Sequence, residues 1–246
     1  MRTIVVKLGG SVLVDLPSYD RCAALLRDRL TAEPGTRFIA IVSARNGETD
    51  ALLALASSIA AEPDAAALDL LWSTGEVRSA ATLALCLHAH GVRAAALDVH
   101  QTGIRCVERL EVDAAPLRRA LAHHDVVIVP GFLAVGSDDR VVSLGRGGSD
   151  LTAVAVAAAI QADSCELVKD VPGYFTSDPN RVSSAAHLPL IDYGRALTMA
   201  GEGCDLVQTA ALEAAEAAGL TLVIRGASDL RYTTVSHDRS RARVSA

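Results

Sequence analysis

Lysine is almost missing from this chain. Lys and Arg together number 23, yet only Lys7 and Lys169 are lysine. Aromatic residues make up 3% and hydrophobic residues 50%, much of the latter alanine, a composition that favours helices packed closely on a sheet. No uncharged apolar run reaches the roughly 18 residues of a membrane span. The first such run is cut short by Lys7 and two glycines, so no N-terminal signal is visible. The five cysteines (Cys22, Cys86, Cys106, Cys165, Cys204) are scattered, odd in number and form no C-x-x-C pair. They read as reduced core residues of a cytoplasmic protein rather than a disulfide framework. The seven histidines show no metal-ligand spacing, and no protein metal site is expected. His88/His90 and His123/His124 read as solvated helix ends or faces. A net charge of −6 and a pI near 5.6 argue against nucleic-acid or anionic-membrane partners. There is no G-x-x-x-x-G-K-[ST], no G-x-G-x-x-G with an acid about 20 residues on, and no G-x-S-x-G. These absences exclude a P-loop NTPase and count against a dinucleotide-binding Rossmann unit and a serine hydrolase.

What is present is an alternation. β-branched runs at 3–7, 37–42, 93–97, 125–130, 164–169 and 220–224 predict strands. Helices are expected near 18–32, 49–61, 66–90, 114–123, 149–162, 192–200 and 204–218. Such alternation implies right-handed crossovers and a mostly parallel sheet covered on both faces, and 246 residues suffice for one α/β domain spanning 1–246. A hairpin is expected from Phe132 to Val142, turning at Gly136-Ser-Asp-Asp139. The tail after Arg231 reads as a peripheral strand with a frayed end or as disordered, and its last eight or so residues as disordered.

Three stretches carry chemistry. Lys7 ends the first strand and is followed by Gly9, Gly10 and Ser11, where free backbone N–H groups and a mobile ammonium suit an anion; a plain turn with a surface lysine is the alternative. Leu144-Gly-Arg-Gly-Gly-Ser-Asp150 opens an Ala-rich helix at Ser149/Asp150, with Arg146 as a carboxylate fork. Asp150 could cap that helix or, pointing inward, orient a lysine or a metal. Leu167-Val-Lys-Asp-Val-Pro-Gly-Tyr-Phe-Thr-Ser-Asp-Pro179 leaves the carboxyl edge of a strand, the edge where ligands of open α/β sheets bind. Both lysines therefore fall on strand ends at one edge. Ser43-Ala-Arg-Asn-Gly-Glu-Thr-Asp50 joins that edge, with a Thr49 helix cap as its plain reading. Ser73-Thr-Gly-Glu76 interrupts a helical region, with a helix start capped by Ser73 as its plain reading.

In this order KLGGS, VSARNGETDALL, STGE, PGF, LGRGGSDLTA and KDVPGYFTSDP resemble the amino acid kinase family, and within it the catalytic domain of aspartokinases, over roughly residues 3–226. The resemblance implies a three-layer α/β/α sandwich around a mainly parallel eight-stranded sheet. It implies transfer of the ATP γ-phosphoryl group, with Mg²⁺, to a side-chain carboxylate of aspartate or a close analogue, and a homodimer. By the same resemblance Lys7 would neutralise the moving phosphoryl while Gly9, Gly10 and Ser11 hold it. Ser43, Glu76 and Arg146 would bind the amino acid, Glu76 at its ammonium and Arg146 at its α-carboxylate. Phe132, Ser149 and Asp150 would shape that pocket, with Asp150 orienting Lys7. Gly147, Gly148, Asp170, Phe175, Ser177, Asp178, Pro179, Arg181 and Asp205 would serve the phosphates and the nucleotide. The sequence ends before the paired ACT domains common in aspartokinases, so feedback inhibition through them is not expected.

The nucleotide half departs from the family pattern. Lys169 stands where aspartokinases usually have Thr, Phe175 where they have Tyr, and Asn180, next to Arg181, where they have Arg. The stretch Gly203-Cys-Asp-Leu-Val-Gln-Thr209 brings Asp205 to the position of a phosphate-contacting lysine. An uncompensated exchange of cation for anion there would cost on the order of several kcal/mol. Lys169 is expected to supply the missing charge. Two other readings stay open: a kinase of this fold for another small carboxylate or phosphate, and a catalytically impaired ligand-binding protein.

Overall fold

The computed structural model describes residues 2–179, 181–227 and 231–237. In chain order the elements are β1 (Arg2–Leu8), α1 (Leu16–Ala32), β2 (Thr36–Val42), α2 (Glu48–Ile59), α3 (Ala65–Ala89), β3 (Ala94–Ala96), β4 (Ile104–Cys106), β5 (Leu110–Val112), α4 (Ala115–His123), β6 (Val126–Pro130), β7 (Leu133–Val135), β8 (Val141–Ser143), α5 (Gly148–Ile160), β9 (Ser164–Lys169), β10 (Leu190–Ile191), α6 (Tyr193–Gly201), α7 (Thr209–Ala217), β11 (Leu222–Gly226) and β12 (Tyr232–Val235). The main sheet has the order β10-β12-β11-β9-β1-β2-β6-β3 and is parallel except between β11 and β12. A second, four-stranded sheet, β5-β4-β7-β8, contains the expected hairpin.

Side-chain alternation sorts the strands onto two faces. Ile4, Val6 and Leu8 of β1 join Phe38, Ala40 and Val42 of β2 under Tyr19, Ala23 and Leu26 of α1 and Leu83 and Leu87 of α3. Val5, Ile39, Ile41, Cys165 and Leu167 lie on the opposite face, under Val154 and Ala157 of α5 and Ala211 and Leu212 of α7. Each aliphatic side chain so buried contributes about 1.5–3 kcal/mol. Small alanines let α5 lie close to the strands, and Ala153 and Ala157 are fully covered.

The same alternation positions the lysines. Lys7 follows Val5, and Lys169 follows Cys165 and Leu167, so both fall on the α5 face. Lys7 pairs with Leu167, which sets Lys169 two residues further along the neighbouring strand. Glu166, one residue out of phase, faces α1 instead, where Arg29 binds it through two hydrogen bonds of 2.8 and 2.7 Å.

Several expectations are corrected. Ser73–Glu76 neither breaks nor starts a helix: α3 runs through it, and Ser73 Oγ donates to Leu70 O. Gly75 eases close packing there, since a Cβ would come 3.2 Å from Ala44 Cβ and 3.3 Å from Glu48. Thr49 does not cap α2, nor do Ser149 or Asp150 cap α5. Both helices start from a left-handed glycine, Gly47 (φ 76°) and Gly147 (φ 77°), with no capping side chain. Residues 204–208 are not helical, and α7 starts from an extended Gln208. After Arg231 the chain forms a strand, β12, inside the sheet rather than at its rim. The expected disorder of the last residues, and Asn180, lie outside the described residues.

Candidate active site

Asp150, in the first turn of α5, is 3% exposed and sits directly over the two lysines. Its Oδ1 lies 2.8 Å from Lys7 Nζ and its Oδ2 accepts a 2.7 Å hydrogen bond from Lys169 Nζ. Burial by itself would raise the Asp150 pKa, but the two ammonium groups overcome it and hold the carboxyl below its usual range. Burial and the nearby Lys7 charge lower the Lys169 pKa, with Asp150 opposing them. Gly9 keeps this cluster open, since a Cβ there would come 3.0 Å from Lys7 Nζ. A Cβ on Gly10 would come 3.0 Å from Ala44 O, which holds the glycine pair against the β2–α2 loop.

Two cavities meet at this cluster. The smaller, about 300 Å³, is lined by Lys7, Ser43, Glu76, Phe132, Arg146, Gly147, Gly148, Ser149, Asp150, Lys169 and Asp205, with Thr49, Gly145 and Gln208. Ser43 Oγ donates to Ser149 Oγ at 3.1 Å, joining the end of β2 to the start of α5. Glu76 is 3% exposed and its Oε2 has no hydrogen-bond partner among the described residues. Desolvation raises its pKa to about 8, with the Ala44 backbone hydrogen bond and Lys7 opposing and Glu48 assisting. A buried, unpaired carboxylate oxygen facing a cavity is a receptor for a cationic donor. Phe132 holds φ at 68°, strained for a bulky residue by about 1–3 kcal/mol. Its ring meets Trp72 edge-on with centroids 5.8 Å apart.

The larger cavity, about 600 Å³, is lined by Ser11, Lys169, Asp170, Phe175, Ser177, Asp178, Pro179 and Asp205, together with Val171, Gly173, Thr176, Met199, Glu202, Gly203, Cys204 and Leu206. Arg181 is not brought into it; its guanidinium is exposed and pairs with Asp178 at 3.3 Å. Thr49, Gln208, Met199 and Cys204 were missed from the sequence. Thr49 had a signal in the Glu-Thr-Asp following β2, whereas Gln208 and Met199 reach their cavities only through the path of the 201–208 loop. All five cysteines are free thiols, three of them buried; Cys106 and Cys204 are half-buried, and Cys204 faces the larger cavity.

Among the described residues no group of three or more His, Cys, Asp or Glu gathers as a metal cage. Single carboxylates beside a phosphate-sized space suit Mg²⁺, which keeps most of its waters and binds through one or two carboxylates plus substrate phosphates. No helix among the described residues is long and apolar enough to cross a membrane.

Residues 2–226 match the amino acid kinase family. An aspartokinase of Thermus thermophilus is 37% identical over 231 residues, covering 92% of this chain and 56% of that protein. The aspartate kinase structure from Synechocystis superposes with a TM-score of 0.87 at 34% identity, covering 96% of this chain and 40% of that one. E. coli aspartokinase III, solved with aspartate and ADP, shares the fold with a TM-score of 0.81 at 24% identity, covering 97% of this chain and 66% of that one. The chain thus spans little more than half the length of the Thermus thermophilus relative. With a mainly parallel sheet between two helical layers, and a match across nearly its whole length, the chain belongs to the amino acid kinase family.

Proposed function

We propose that this chain is the kinase part of an aspartokinase, transferring the γ-phosphoryl group of ATP to the side-chain carboxylate of aspartate or a close amino-acid analogue. The observation that carries the reading is the clasp of Asp150 on Lys7 and Lys169 where the two cavities meet. In the smaller cavity Glu76 receives the substrate ammonium and Arg146 its α-carboxylate, with Ser43, Ser149 and Phe132 fixing its position. Gly9, Gly10, Ser11 and Gly147 offer backbone N–H groups to the phosphoryl oxygens, while the Gly148 N–H is held by Gly145 O. The larger cavity receives the nucleotide along Phe175, Ser177 and Pro179.

An oxygen of the acceptor carboxylate bonds to the γ-phosphorus as the bond to the β-phosphate oxygen breaks, giving an acyl phosphate and ADP with no proton transferred. The barrier is largely repulsion between anions, so positioned lysines do most of what this chemistry needs. Lys7 and Lys169, held from two sides by one carboxylate, need no reorganisation when charge moves between the cavities. Mg²⁺ on the nucleotide would neutralise β- and γ-oxygen charge, with Asp170, Asp178 and Asp205 the carboxylates available to hold it. A phosphate acceptor fits less well, because it would call for a second cation where Glu76 offers a carboxyl.

The same reading takes the chain as one domain, in the cytoplasm, paired as a homodimer; the exposed Leu70 and Leu85 of α3 support such pairing. The test is incubation with Mg-ATP, hydroxylamine and a panel of amino acids. Hydroxamate with aspartate supports the proposal. ADP release with an acceptor unlike aspartate, or nucleotide binding without turnover, contradicts it.

A further inference from the structure

Lys169 and Asp205 are, among the described residues, the two side chains that line both cavities. They approach the junction from different elements, Lys169 from the end of β9 and Asp205 from the loop before α7. The lysine is already engaged by Asp150 at 2.7 Å, while Asp205 is exposed and has no ion-pair partner among the described residues. A phosphoryl group passing between the cavities would pass this free carboxylate, and alone the carboxylate would repel it. The repulsion becomes attraction if a divalent cation stands between the carboxylate and the phosphates. No protein cage for such a cation exists among the described residues, so it must arrive on the nucleotide.

Taking the nucleotide reading of the larger cavity as premise, we propose that Asp205 is the protein's contact to the divalent cation carried by the bound nucleotide. Asp205 then acts as a selector: it draws in the metal–nucleotide complex and rejects the metal-free one. The neighbouring Asp170 lines the larger cavity and not the smaller one.

The test is calorimetric binding of a non-hydrolysable ATP analogue, with Mg²⁺ and with EDTA, to the wild type, Asp205→Asn and Asp205→Glu. The wild type should bind the Mg²⁺ complex at least tenfold more tightly than the free analogue. Asp205→Asn should move the two affinities in opposite directions, weakening the complex and tightening the free analogue, each by several-fold. Asp205→Glu should keep the wild-type order. Mn²⁺ paramagnetic broadening of the analogue's complex should change in Asp205→Asn and not in Asp205→Glu. A purely repulsive or structural Asp205 would shift both affinities the same way, and that result overturns the inference. Failure of the wild type to bind the analogue in either form would instead overturn the nucleotide reading.

Discussion

The ammonium of Lys169 lies 2.7 Å from Asp150 Oδ2, on the opposite side of the carboxylate from Lys7. The chain's two lysines are thereby joined through one buried acid. Sheet register explains the meeting, because Lys7 is opposite Leu167 and the next residue on that face is Lys169. A chain that uses arginine almost everywhere else has its two compact point charges here, one on each oxygen of a single carboxylate.

Lys169→Ala should lower kcat/KM by about 10²–10³-fold, the usual loss on removing one preorganised electrostatic group. Most of the loss should fall on kcat, with nucleotide affinity also reduced. Lys169→Arg should recover little of it. Steady-state kinetics together with nucleotide titration read both effects.

Glu76 sets a pH dependence. Burial raises its carboxyl from 4.5 to about 8 against the Ala44 backbone hydrogen bond and Lys7 on β1, with Glu48 on α2 adding to the rise. Below that value the free protein holds Glu76 protonated, and binding an ammonium displaces the proton. Aspartate affinity should therefore rise between pH 6 and 8, with proton release visible as a buffer-dependent heat in calorimetry. Stability runs the other way: the contribution of the raised carboxyl is full below the unfolded value and is lost as pH rises through about 8. Glu76→Gln should flatten this loss in thermal melts while weakening aspartate binding by at least tenfold.

Gly147 has φ 77°, and a Cβ there would collide with the Gln208 side chain. Gly147→Ala should destabilise the fold by about 1–2 kcal/mol from backbone strain alone. Because the glycine starts α5 and carries Arg146 beside it, KM for aspartate should rise more than KM for ATP. Denaturant titration and paired substrate curves separate the two effects.

Glu166 gives a contrasting case on the other face of β9. It is 2% exposed and accepts from Arg29, with Arg225 at 3.5 Å. Glu166→Gln leaves cations without their partner and should cost about 3–5 kcal/mol of stability. With substrates saturating and the protein still folded, kcat should stay at the wild-type value, as activity assays below the melting transition would show.

Strands buried on both faces, such as β1, β2, β6 and β9, were readable from their β-branched runs, and so was the edge on which both lysines end. The three-residue strands β4 and β5 were not, being too short to show a period of two. Ser73-Thr-Gly-Glu76 misled because a glycine mid-helix usually weakens a helix; here α3 crosses so near Ala44 and Glu48 that a Cβ would crowd both. The glycine starts of α2 and α5 were hidden behind adjacent Thr, Ser and Asp residues, which local chemistry favours as caps. Arg181 was placed at the phosphates by the family resemblance, being adjacent to the position of a family arginine, yet it turns outward to Asp178. The sequence marked Lys7 and Lys169 separately; that they share Asp150 depends on register between strands, which no local pattern carries.

The most direct measurement is the yield of aspartyl hydroxamate per ADP formed, with Mg-ATP, aspartate and hydroxylamine, in the wild type and in Lys7→Ala. The expected result is one hydroxamate per ADP in the wild type and a fall of both products together in Lys7→Ala. Wild-type ADP formation without hydroxamate, or turnover unchanged in Lys7→Ala, would contradict a lysine-clasped phosphoryl transfer to the carboxylate.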